Sequence, residues 1–88
     1  SPNKMTYIAT FYSHFGALHF RKICQKEGIP SEIMPVPRTL SSSCGTCVRY
    51  ENASPCPDET GSYPEETEQV VIVHEDHRYE TVFQARES

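Results

Sequence analysis

The sequence predicts a small α/β (α+β) sandwich, a sheet layered with helix, and three observations point to it. A chain of 88 residues leaves room for one domain. Strand-like and helix-like periodicities alternate along it. The apolar content, 36%, suffices for one small core and excludes a disordered or collagen-like chain. The domain is expected over residues 5–88, with 1–4 as a leader or appended remnant ahead of Met5.

Residues 6–12, T-Y-I-A-T-F-Y, carry β-branched and aromatic side chains on both faces, the pattern of a buried or central strand. Ser13 is a natural N-cap for a helix over 14–27, where Ala17, Phe20, Ile23 and Cys24 share one side of a 3.6-residue period and Gly28 closes the end. A second strand over 31–36 contains Pro35, which has no N–H to donate to a ladder, so it belongs at a sheet edge or ends early. A polar loop over 38–45 leads to a third strand over 46–51, with Cys47, Arg49 and Glu51 opposite Val48 and Tyr50. Residues 52–63 are rich in Pro, Gly and small polar types and read as a loop.

Residues 64–77 support two readings. Pro64, Glu65 and Glu66 open like a first helical turn, with proline at N1 and acids at the positive end of the dipole. Val70 to Val73 is a β-branched run, and H-E-D-H can turn into a last strand over 79–84, so pattern alone favours a hairpin.

The net charge of −4 argues against nucleic acid as a partner, since phosphate rewards a cationic face. The charge is unevenly spread: residues 1–50 are net +4 and residues 51–88 net −8. No stretch is long and apolar enough to span a membrane and no export signal is recognisable, so no membrane association and a cytoplasmic setting are expected.

Four cysteines in a reducing compartment point to thiol, metal or sulfur chemistry rather than to disulfides. Cys44 and Cys47 form a C-G-T-C pair that runs into a strand pattern, V-R-Y, unlike the helix-capping pair of a thioredoxin-type redox site. Ser42, Ser43 and Gly45 surround Cys44 with small residues whose amides can form a nest for an anion, and Arg38 and Arg49 flank the loop. Cys44 is therefore the candidate nucleophile or carrier, its pKa expected to fall, with Cys47 as the resolving thiol. Cys24, on the apolar side of the helix, reads as a core residue. His14 and Cys56 are candidate accessories: His14 starts the helix, and Cys56 can fold back from its loop. A metal site built from Cys44, Cys47, Cys56 and His14 is the alternative, although the spacing is not that of a standard zinc finger. No cofactor is expected. His19, His74 and His77 read as surface residues, and the acids from 51 to 80 as a solvated face.

The stretch from Tyr7 to Glu51 resembles a small bacterial family of selenium/sulfur carrier-like proteins. The likeness lies in F-Y-S-H-F-G-A-L, then G-I-P, then I-M-P-V-P-R-T-L-S-S-S-C-G. It implies a chalcogen carried at Cys44, and it implies that 64–77 is a helix before a last strand at 79–83. The order would then be a ferredoxin-like β-α-β-β-α-β sandwich with an extended loop before the second helix. Cys47 and the 52–63 insertion, with its own cysteine, depart from the family pattern.

The leading expectation is a cytoplasmic sulfur or selenium carrier or accessory protein, holding a persulfide or perselenide on Cys44. Its partners would be donor and acceptor proteins, and an exposed sheet edge would permit a homodimer. The competing expectations are a zinc- or iron-binding module, a small-molecule regulatory domain and a non-catalytic protein-interaction domain.

Overall fold

A computed structural model describes residues 4–58 and 61–85. Its centre is strand β1 (Met5–Phe11), whose residues from Tyr7 onward are all buried. A strand apolar on both faces needs a partner on each edge and cover on each side. β1 pairs antiparallel with β3 (Thr46–Asn52) on one edge and with β4 (Thr67–Val73) on the other. β2 (Ser31–Pro35) adds outside β3, and β5 (Tyr79–Gln84) outside β4. The sheet order is β2-β3-β1-β4-β5, which puts the proline-bearing strand at an edge as its missing donor requires.

The single helix among the described residues, α1 (His14–Lys26), follows β1 directly. Ser13 caps it, its hydroxyl oxygen accepting the Gly16 N–H at 3.3 Å. The helix buries Ala17, Phe20 and Cys24 against β1, β2 and β3. Phe20 is the keystone of that layer, its ring centroid 5.3 Å from Phe11 and 5.1 Å from Tyr50, inside the range where aromatic pairs attract beyond simple burial. Tyr63 and Phe83, 4.2 Å apart, extend this core toward the β5 edge. Ile8, Cys47 and Val71 form a second cluster on the opposite face, flanked by Met34, Val36, Leu40, Val73 and Tyr79.

The expected second helix over 64–77 is corrected by the structure: residues 67–73 are strand β4, and Pro64 to Glu66 form only a turn, closed by the Thr67 N–H on the Pro64 carbonyl at 3.0 Å. The order is β-α-β-β-β-β, an α+β fold with a five-stranded antiparallel sheet, in place of the β-α-β-β-α-β order. The reason lies in the Val70–Val73 run. β-Branched side chains lose freedom in a helix and pack well on a pleated surface, and the free edge of β1 offers the ladder bonds that surface needs. H-E-D-H is the hairpin turn to β5, with His77 in the left-handed region at φ 63°.

Gly16 marks the close approach of α1 to the turn before β4. A Cβ there would lie 2.5 Å from Glu66 Cβ and 3.3 Å from Phe11 Cβ. Tyr12 N–H also donates to the Glu66 carbonyl at 3.0 Å, so the turn cannot easily retreat. Gly16→Ala should therefore destabilise the fold by about 1–2 kcal/mol in urea unfolding, although alanine is the better helix former by nearly 1 kcal/mol.

Candidate functional site

The ten-residue connection from β2 to β3, residues 36–45, runs along the end of the sheet and contacts both faces. Leu40 packs with the Ile8 cluster, whereas Cys44 packs at the margin of the Phe20 core on the helix side. The loop is fastened at its base by the Val36 N–H on the Gly45 carbonyl (3.1 Å) and in its middle by the Ser42 hydroxyl on the Phe11 carbonyl (3.5 Å). Gly45 follows Cys44 at φ 73°, a conformation that a residue with a Cβ enters only under strain, and this lets the chain turn from loop into β3.

Cys44 is half-buried and unbridged. Its N–H donates to the Ser42 hydroxyl oxygen at 3.4 Å and its thiol to the Thr46 carbonyl at 3.4 Å. His14, the first residue of α1, sits across from the same Thr46, with Nδ1 3.3 Å from Oγ1. The structure thus brings Cys44, Ser42, Gly45 and His14 into one neighbourhood at the start of the helix, with Thr46 as the common link. Sequence reading passed over Thr46 because nothing in a strand-opening threonine signals a shared partner.

Ser43 is committed elsewhere. Its N–H and hydroxyl both donate to the Glu68 carboxylate, at 3.1 and 2.6 Å, and Thr10 Oγ1 reaches the same carboxylate at 3.4 Å. The anion that the Ser43 amide holds is Glu68. This residue was also missed, being one acid in a run that reads as a solvated face.

Cys47 lies on the other face of the sheet from Cys44. It is fully buried beside Ile8 and Val71, and its thiol lies 3.7 Å from the Pro35 carbonyl. Burial, with a smaller contribution from the nearby Cys44 charge, pushes its thiol up to about 11. Cys24 is likewise pushed up to about 11, mainly by burial and against a lowering hydrogen bond from Ser31, as a core thiol should be. Arg49 shares the Cys47 face and directs its guanidinium at Glu32, 3.7 Å away. Arg38 is exposed in the turn after β2, and among the described residues no hydrogen bond ties either arginine to Cys44.

Cys56 is at the far end of β3, beyond a strand of roughly 20 Å, where its thiol donates to the Ser62 carbonyl at 3.0 Å. Tyr50, whose hydroxyl donates to the Pro55 carbonyl, pins this segment to the core. The structure therefore does not bring Cys56 to Cys44, and among the described residues no group of three or more His, Cys, Asp or Glu side chains is placed to hold a metal. What the site offers is one half-buried thiol in a small-residue loop, with an imidazole against the side chain of the same Thr46 whose carbonyl takes the thiol.

A model of the family described as "Putative Se/S carrier protein-like" matches residues 6–56, which covers β1, α1, β2, the Cys44 loop and β3 and ends before β4. No curated protein and no solved structure matches the chain. No helix among the described residues is long and apolar enough to cross a membrane.

The burial contrast predicts selective alkylation. With iodoacetamide at pH 7.5, peptide mapping should find Cys44 modified and Cys24 and Cys47 reacting at least about 100-fold more slowly than in the unfolded chain, because the thiolate is the reactive form. For Cys47 the rate should climb only as the pH approaches 11.

Proposed function

The chain belongs to the Se/S carrier-like family, and from that membership we propose that it carries a sulfur or selenium atom on Cys44. The observation that supports this most directly is the partition of the thiols. Cys44 stands half-buried on a loop at the sheet end, Cys24 and Cys47 are sealed in the two cores, and Cys56, also half-buried, lies at the far end of β3.

In the proposed step the Cys44 thiolate attacks the outer sulfur of a donor persulfide. A bond forms between Sγ and that sulfur, the donor's S–S bond breaks, and the donor leaves as a thiolate with the bonding pair. Cys44 then holds the terminal S–H, and an acceptor thiolate removes the sulfur by the same exchange. Before the proton leaves, the Thr46 carbonyl that accepts the Cys44 thiol fixes its direction, and His14 lies against the side chain of the same Thr46. Arg38 and Arg49 act in this proposal only by adding to the positive field of the first half of the chain.

Cys47 is proposed as a wall of the second core. A disulfide needs facing Cβ atoms, and the two thiols of the C-G-T-C pair look into opposite faces of the sheet. The partners of a carrier whose thiol stands on a loop at the sheet end are a donor protein and an acceptor protein. Their encounter would be steered by the opposed charges of the two halves of the chain. The reading sets the protein in the cytoplasm, where thiols stay reduced.

The test is intact mass after incubation with a persulfide donor. A gain of one sulfur, about 32 Da, should appear in the native chain and in Cys47→Ser and Cys56→Ser, and vanish in Cys44→Ser. An adduct that survives Cys44→Ser, or none at all in the native chain, overturns the proposal.

A further inference from the structure

We propose that Glu68 is the positioning residue of the Cys44 loop, a carboxylate latch by which β4 holds the thiol in its presenting conformation. The functional consequence rests on the carrier reading above; the latch itself does not.

Three observations carry it. The first is the path of the loop. β2 and β3 are sheet neighbours, and an antiparallel pair is closed by a turn of about two to five residues. The chain spends ten, and the surplus takes Ser42 past the end of β1 and Ser43 to β4, two strands away from β3.

The second is the backbone at Glu68. Thr10 pairs with Gln69 and Phe11 with Thr67, which leaves Glu68 as the extra residue of a β-bulge. Bulges re-aim a side chain that regular pleating would send elsewhere. Here the re-aimed carboxylate reaches Thr10 on the neighbouring strand and Ser43 on the loop.

The third is the match of donors to acceptors. Glu68 Oε1 takes the Ser43 N–H at 3.1 Å and Oε2 takes its hydroxyl at 2.6 Å, so both oxygens grip one residue through its backbone and its side chain together. Charge-assisted bonds of this kind are stronger than neutral ones. Ser43 is the residue before Cys44, and the Cys44 amide and thiol bonds to Ser42 and Thr46 both depend on where that backbone lies.

The latch comes from outside the part of the chain that the family model matches, so it is a contribution of the second half to a thiol carried by the first. With the latch released, the loop keeps its ties at Phe11 and Val36 but Ser43 is free to move, and Cys44 spends less time aimed along the Thr46 carbonyl.

The experiment compares the native chain with Glu68→Ala, Glu68→Gln and Ser43→Ala. Amide hydrogen exchange is read residue by residue by NMR, and sulfur uptake on Cys44 from a small persulfide donor by intact mass. Glu68→Ala should speed exchange at the Ser43 amide by about tenfold or more, leave the Val70 to Ile72 amides within about twofold, and slow sulfur uptake severalfold. Glu68→Gln, which keeps an acceptor for the Ser43 N–H and a donor for its hydroxyl, should restore most of both. Ser43→Ala should slow uptake as Glu68→Ala does, and the two together should add nothing further.

The latch is overturned if Glu68→Ala leaves Ser43 exchange and sulfur uptake within about twofold of native. It is equally overturned if the amides of β4 lose protection together with Ser43, which would make Glu68 a strand-stabilising residue only. A native chain that takes up no sulfur while the exchange pattern follows expectation would sink the carrier reading and leave the latch standing.

Discussion

The structure depends on the double demand of β1. Tyr7, Ala9 and Phe11 face the helix and Ile8 and Thr10 face the other way, all of them buried, so the strand can exist only at the middle of a sheet covered on both sides. Its two edges fix β3 and β4 as neighbours, and the outer strands then follow by antiparallel pairing. Its end fixes the start of α1, with only Tyr12 and Ser13 between them, because Ser13 caps the helix at once. Everything that surrounds Cys44 is gathered at that end: the Phe11 carbonyl, the first turn of α1, the beginning of β3 and the bulge of β4.

Such a sheet separates its thiols. Consecutive strand residues point to opposite faces, so the step from the Cys44 loop into Cys47 crosses from the helix side to the other core. The distance between the two cysteines in sequence is short, yet one is accessible and the other is enclosed with its thiol pushed up to about 11. Cys56 is removed by the full length of β3. Spacing that invites a three-thiol site in one dimension is dispersed by the geometry of a strand.

The charge asymmetry acquires a structural meaning in the same way. Acids of the second half meet groups of the first near α1 and β1, where Glu66 lies 3.6 Å from His19 and Glu68 holds Ser43. The Glu66 contact is half exposed and adds little to stability. The Glu68 contact matters through the geometry it imposes on a loop that has few other ties.

What depends on near neighbours can be read from the order of residues alone. The two-faced apolar strand, the capped helix with Cys24 on its inner side, the edge position of a strand with Pro35, and a turn at Cys44-Gly45 were all legible, because each rests on residues within one turn or one pleat of each other. Tertiary structure alone decided the state of residues 67–73, since Pro-Glu-Glu and Val-Val-Ile-Val make opposite local statements and only the open edge of β1 breaks the tie. It also decided which sheet face α1 covers, and with that the enclosure of Cys47 and the diversion of Arg49 to Glu32. Glu68 is the extreme case: no local pattern separates it from Glu65, Glu66 or Glu75, because its partner Ser43 lies 25 positions away and is brought to it only by strand order and one extra residue in a ladder.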